Sequence, residues 1–433
     1  MKNALKRKWP FALLLLIGAG AWLWLVKFES EKPTVRFSSD SPVIGRELKF
    51  LAGDQKSGLA EVKVEAIQAG QTLSLLTETF PKQTHLIEKV LPMRPRPQGL
   101  NEGEVRIKVT VKDHSWNGGN PTILEKTLII DTEPPQMNIL GAQHYIRQGG
   151  TGFVTYTTNE DVSSSGIRVG DVFYSGYPIS KNLFLVYFAL PAGAPKDIHF
   201  SGVAEDPAGN RTTSVFRPNI KTSLFKRDEI QVTDRFLSDI IPYFKDRDAG
   251  LQGSDLDIFL ILNRKQREAD FQQIQKICLE TSPRPLWSGP FLRLPNSKPM
   301  ASFGQARTYF FKGKEIDRQT HLGVDLASLA QSPIPAANSG RVVFAGPLGI
   351  YGNAVVLDHG CGLFSMYSHL SRIEVEVKKD VAKGDILGRS GATGMAGGDH
   401  LHFAMLVQGV FVDPIEWWDA HWIKDNIELK LGS

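Results

Sequence analysis

Two cysteines in 433 residues, Cys278 and Cys361, are too few for a disulfide framework or a cysteine-based zinc site. They could pair in an oxidising compartment, but sequence does not place them within bonding reach, and two buried free thiols fit equally well. The body of the chain also lacks net basic charge. Lys2, Lys6, Arg7, Lys8 and Lys27 supply five positive charges before residue 29, with no acidic residue among them; taking these from the formal +4 leaves the remainder at −1. A near-neutral body carries no electrostatic footprint for nucleic acid. There is no HExxH stretch, so a glutamate general base of that type is not expected. One hydrophobic core cannot serve a chain of this length, and two to four domains are expected.

What the first residues do contain sets the compartment. Trp9 to Val26 is a run of 18 residues without a charge, preceded by Lys6-Arg7-Lys8. That is about the minimum for a helix spanning a bilayer core of roughly 30 Å. Basic residues on its N-terminal side keep that end in the cytoplasm and export the rest. Ala19-Gly20-Ala21 also matches a signal-peptide cleavage site, but the apolar run continues through Trp22-Leu23-Trp24-Leu25-Val26. Length and flanks favour an uncleaved single-pass anchor in the inner membrane, with the body in the periplasm; a cleaved signal and a soluble periplasmic protein is the alternative. Both export the body.

The exported part is read as mainly β. Val62, Val64 and Ala66 alternate with Glu61, Lys63 and Glu65, and Val105, Ile107, Val109 and Val111 alternate with polar residues. A period of two marks half-buried antiparallel strands. A weak repeat, Val111-Lys112-Asp113 with Gly119-Asn120 and Ala204-Glu205-Asp206 with Gly209-Asn210, suggests two modules split by Asp131-Thr132-Glu133-Pro134-Pro135. These modules, 34–133 and 134–220, resemble bacterial Ig-like β-sandwiches and read as spacers. Over 221–297 the period becomes helical: Thr233 is the expected N-cap of one helix, Pro242 should kink or end it, and Ser254 should start a second. This helical linker is read mainly as packing, with a lid over the neighbouring domain as the sharper idea. From 298 to 433, after the anchor segment 1–33 and the three intervening parts, short strands return, among them Arg341–Ala345, Asn353–Asp358, Leu363–Tyr367 and Leu401–Val407.

Six of the ten histidines fall in this last part: His321, His359, His369, His400, His402 and His421. In His321-Leu322-Gly323-Val324-Asp325 the polar residues share one face of a strand. Four residues of straight strand span about 13 Å, so the segment must bend to bring both side chains to one ion, and Gly323 would permit it. In His400-Leu401-His402-Phe403 both imidazoles point to one face, roughly 6–7 Å apart at Cα. His369 follows a strand in Tyr367-Ser368-His369-Leu370. His359, at a strand end before Gly360, reads as a turn stabiliser, and His421 as a surface or packing residue.

Together these elements resemble the M23 (lysostaphin/LytM-type) metallopeptidases over roughly residues 298–420. The HxGxD, Ser-His-Leu and HxHF elements carry the resemblance, with turn-like stretches at Gly352–Gly360 and Val381–Gly388. The resemblance implies an antiparallel β peptidase domain binding one zinc ion through His321, Asp325 and His402, with His369 and His400 as the catalytic pair. Two imidazoles and a carboxylate leave zinc an open position, the pattern of a catalytic site. It further implies hydrolysis of peptidoglycan stem peptides in a Gram-negative envelope. Asp399 and Ala404 depart from the residues many relatives have there. A non-catalytic LytM-type regulator of cell wall amidases and an envelope scaffold are the competing functions.

Overall fold

A computed structural model describes residues 14–21, 31–115, 118–141 and 144–431. Most of the expected anchor, Trp9 to Val26, lies outside the described residues; residues 14–21 within it are helical. No helix among the described residues is long and apolar enough to cross a membrane. The fold is mainly β with a helical minority, and the chain divides into two compact units.

The first unit holds residues 1–135 with two short later segments, 161–163 and 205–212. A five-stranded sheet runs in the order Val43–Ile44, Pro121–Ile130, Gly103–Asp113, Leu59–Gln68, Gln71–Thr79. A three-stranded sheet, Thr34–Phe37, Glu47–Gly53 and Leu86–Pro92, shares its hydrophobic core. The alternation read from sequence is the cause: Val62, Val64, Ala66, Val105, Ile107, Val109 and Val111 are all buried in that core. Their polar neighbours face out, where Lys112 pairs with Glu61 across the ladder at 3.3 Å. The sequence repeat has a physical basis. Asp113 takes Asn120 N–H on Oδ1 (2.7 Å) and Asn120 Nδ2–H on Oδ2 (3.0 Å), and Asp206 takes the same two groups of Asn210 at 2.9 Å each. Each Asp closes a turn on its own Asn.

The second unit carries two four-stranded sheets between Met137 and Phe216, then the helices, then the C-terminal domain. Helix α1 (Asp234–Lys245) starts as expected, with Thr233 Oγ1 accepting from Phe236 N–H. Pro242 does not end it. The lost hydrogen bond is offset because Leu237, Ile240, Ile241 and Phe244 are all buried against neighbouring helices and strands. Helix α2 (Asp255–Ile261) opens with a full capping box between Ser254 and Asp257, and runs through a π-helical turn at Leu262–Gln266 into α3 (Arg267–Ile277).

These helices pack on a hairpin formed by β1 (Gln305–Phe311) and β2 (Lys314–His321), through Tyr309, Phe311 and Ile316. Asn263, in the π-helical turn, donates to Asp317 of β2 (2.8 Å), and its carbonyl accepts from Gln319 Nε2 (2.9 Å). Asp270 of α3 accepts from Ile350 N–H (2.7 Å), tying α3 to the turn Gly349–Tyr351. The helices therefore buttress two walls next to the histidine cluster.

The C-terminal domain is built on an eight-stranded sheet, antiparallel in every described pair. Its order is Lys298–Ala301, β3 (Val324–Ala327), β6 (Leu401–Val407), β5 (Leu363–Leu370), β4 (Asn353–Asp358), Gly340–Pro347, Asp380–Val381, with Val410–Val412 also on β6. Every residue of β5 and β6 is buried, so both are central strands covered on both faces. Cys278 and Cys361 are buried free thiols.

Candidate metal centre

Register places the cluster. Asp325 of β3 lies directly opposite His402 of β6, and His402 in turn opposite Ser368 of β5. Opposed residues share a face, so the Asp325 and His402 side chains meet above the sheet. His321 arrives from a different sheet, at the end of β2, because the chain breaks between the two strands at Leu322-Gly323. His369 follows Ser368 with a positive φ of 64°, and the β4–β5 register shifts between Asn353 and Val355, opposite that point. This bulge takes His369 out of the ladder and turns its ring toward His400, 4.9 Å away between centroids.

Three atoms converge. Asp325 Oδ1 is 2.9 Å from His321 Nε2 and 2.9 Å from His402 Nδ1, and those two nitrogens are 3.0 Å apart. All three residues are buried. His321 Nδ1 lies 3.0 Å from the Ser302 carbonyl, which can only accept, so Nδ1 carries the proton and a neutral His321 offers a bare lone pair at Nε2. A proton on His402 Nδ1 can serve one neighbour, leaving the lone pairs of His321 Nε2 and Asp325 Oδ1 face to face. His402 Nε2 is itself buried without a hydrogen-bond partner among the described residues. A cation among the three atoms removes the conflict, and two imidazoles with one carboxylate suit zinc.

The two remaining imidazoles are set the same way. His369 gives Nδ1–H to the Thr393 carbonyl (2.8 Å) and His400 gives its own to the Gly398 carbonyl (2.8 Å). Both therefore present Nε2 as an acceptor when neutral, and His400 Nε2 stands 3.6 Å from Asp325 Oδ1. Burial, and after it the neighbouring imidazoles, pushes His369 down to about 3. Burial likewise pushes His402 down to about 4, against the pull of Asp325. For Asp325, burial alone would raise the carboxyl, but hydrogen bonds to His321 and His402 outweigh it and hold the group well below the usual range. The centre is thus an ionised carboxylate among imidazoles, of which His369 and His402 are held neutral at pH 7.

The bend at Gly323 has a different cause from the one expected. Its φ is not positive. A Cβ there would lie 2.5 Å from His402 Cε1 and Nε2 and 2.8 Å from the Phe403 carbonyl, so the glycine is needed for space, not for backbone freedom. Gly323→Ala should therefore displace the His402 ring and weaken metal retention by about 10-fold or more, with the fold kept, as measured by chelator competition and circular dichroism. Wild-type retention would contradict this.

His359 and His421 stand outside the cluster. His359 is fully buried, bonded through Nδ1 to the Ser339 carbonyl and through Nε2 to Ser365 Oγ (2.7 Å each), and burial pushes it down to about 4. These bonds tie the residue after β4 to Ser339 and to β5. His421 is exposed. Asp399 accepts from Gln331 N–H at 3.0 Å, bracing the loop ahead of His400. Sequence reading missed Arg307, on β1, whose Nη2–H reaches Asp325 Oδ2 at 3.0 Å. Only the hairpin register, which pairs Arg307 with Gln319 two residues before His321, could have pointed to it.

Residues 319–414 match the model of Peptidase family M23. DD-carboxypeptidase/endopeptidase Mpg of Neisseria meningitidis is 36% identical over 95 residues, 22% of this chain and 22% of that protein. Peptidoglycan DD-endopeptidase ShyA of Vibrio cholerae is 37% identical over 89 residues, 21% of each. The similarity thus spans about a fifth of the length of these curated relatives. Among solved structures, the catalytic domain of lysostaphin from Staphylococcus simulans is 31% identical, covering 28% of this chain and 92% of that one, with a TM-score of 0.25.

Proposed function

We propose, taking the Peptidase family M23 domain over residues 319–414 as the premise, that this chain is a zinc-dependent endopeptidase cutting peptide cross-links of peptidoglycan. The observation that carries the reading is the triad of His321 Nε2, Asp325 Oδ1 and His402 Nδ1 within 3.0 Å of one another, with two further imidazoles beside it. The naming of the similar proteins as peptidoglycan DD-endopeptidases supports the choice of substrate. The charge-free run at Trp9–Val26 supports anchoring in the inner membrane with the peptidase domain in the periplasm, and the β modules before it would be Ig-like spacers.

His321, Asp325 and His402 would hold the zinc ion. When bound, zinc would supply a Lewis acid for the scissile carbonyl and would lower the pKa of water toward about 7. The chain's own residues do the rest. The carbonyls of Thr393 and Gly398 fix the protons of His369 and His400 on Nδ1, so that each Nε2 can take a proton from the attacking water and later give one to the leaving amine. The pair then faces the charge that develops on the peptide oxygen. Burial of His369 keeps it neutral before reaction.

The test is digestion of purified peptidoglycan by the soluble ectodomain. We expect products whose masses correspond to opened cross-links, loss of that activity with a chelator, and its return with zinc. An ectodomain that holds no stoichiometric zinc and digests nothing would fit the amidase-regulator function instead.

A further inference from the structure

We propose that Arg307 is a positioning residue of the metal centre, confining Asp325 to contact through a single oxygen; the inference rests on the zinc reading above. The Asp325 carboxylate is divided between two jobs. Oδ2 accepts from Arg307 Nη2 at 3.0 Å, while Oδ1 alone faces His321 Nε2 and His402 Nδ1, each at 2.9 Å. A carboxylate left to itself can grip a metal ion through both oxygens. With Oδ2 held in a charge-assisted bond to a guanidinium, that second grip is taken away and a coordination position is kept for water or substrate.

Three features argue that the arginine is there for the site. First, its side chain is only 21% exposed and the Asp325 side chain 12% exposed, so the pair is shielded from water and geometrically fixed. Second, Arg307 Nε is buried with no hydrogen-bond partner among the described residues. Burying a guanidinium with an unpaired donor works against folding, which is poor economy for a residue serving only the stability of β1. Third, its backbone is locked. Arg307 pairs with Gln319 in the hairpin, and Gln319 is itself bonded to the Asn263 carbonyl. The same hairpin that carries His321 thus carries the residue that aims Asp325.

The experiment uses the ectodomain with cobalt in place of zinc, because four-coordinate cobalt(II) absorbs visible light more strongly than five- or six-coordinate cobalt(II). Wild-type protein should show the intense band. Arg307→Met should still take up one cobalt per chain but with a weakened band. With zinc its kcat should fall about 10- to 100-fold while KM stays within about 2-fold. Arg307→Lys, which keeps one donor for Oδ2, should recover most of both. An Arg307→Met band and kcat equal to wild type would overturn the proposal while leaving the zinc reading intact. So would loss of metal from both variants, since that would make Arg307 a general support of the cage. Failure of wild-type protein to bind any metal would instead remove the zinc reading, and this proposal with it.

Discussion

Replacing His402 by alanine should remove bound zinc and peptidoglycan digestion together, whereas replacing His369 should leave one zinc per chain and lower kcat about 10²- to 10⁴-fold. The contrast follows from position. His402 Nδ1 closes the triangle with His321 and Asp325, so its loss leaves one imidazole and one carboxylate to hold the ion. His369 is not one of the three residues whose ligand atoms converge. Its Nδ1 is spent on the Thr393 carbonyl, and its ring lies 5.8 Å from that of His402 between centroids. Thermal melts give a readout independent of activity. Ligand binding to the folded state alone stabilises it in proportion to the logarithm of ligand concentration over Kd, so zinc should raise the melting temperature of His369→Ala but not of His402→Ala. Zinc-dependent stabilisation of His402→Ala, or full digestion by either variant, would undo the role assigned to that residue.

What the sequence disclosed is what depends on residue type. Asn353–Asp358 and Leu401–Val407 are strands over the expected residues, Thr233 and Ser254 are N-caps, and His321, Asp325, His369, His400 and His402 come together although 81 positions separate the outermost pair. Spacing and alternation carry the strands and caps because side-chain direction follows backbone period, whereas the grouping of the five site residues was implied by the resemblance to the M23 metallopeptidases. What stayed hidden depends on groups every residue has, or on register. The carbonyls of Ser302, Thr393 and Gly398 fix three imidazoles, yet any residue could supply them. The bulge that turns His369 inward has no Gly or Pro to mark it. Gly323 could be recognised as necessary, but the reason, the approach of the His402 ring, lies 79 positions away and appears only once β3 pairs with β6. Of the two outcomes expected at Pro242, a kink or an end, the end does not occur, since the helix runs on to Lys245 with the neighbouring apolar residues buried.

The remaining large effect concerns stability. Trp417 reads in the sequence as one of two tryptophans before a histidine, with nothing to separate them. In the fold they differ: Trp417 is fully buried, at 0% exposure, while Trp418 is half-buried and carries Arg293 over its ring. Around Trp417 lie the rings of Tyr187 (5.9 Å), Trp287 (5.5 Å), Phe291 (5.4 Å) and Trp422 (5.4 Å), and its indole N–H donates to Thr151 Oγ1 at 3.2 Å. Its neighbour Glu416 accepts from Thr151 N–H (2.7 Å) and Arg147 Nε–H (3.0 Å). Residues from the second β module, the segment after the helices and the C-terminal tail thus share one core inside the second unit. Trp417→Ala should cost about 3–5 kcal/mol, a large part of the roughly 5–15 kcal/mol that holds a typical protein folded. The melting temperature should fall by roughly 5–8 °C for a cooperative unit of this size. Because the core is shared, the loss should appear in a single transition that takes the β module and the metal centre down together, followed by circular dichroism and zinc release in one experiment. A separate transition for residues 134–220, unmoved by the substitution, would mean that the module folds without the peptidase domain and that the Trp417 core is not what joins them.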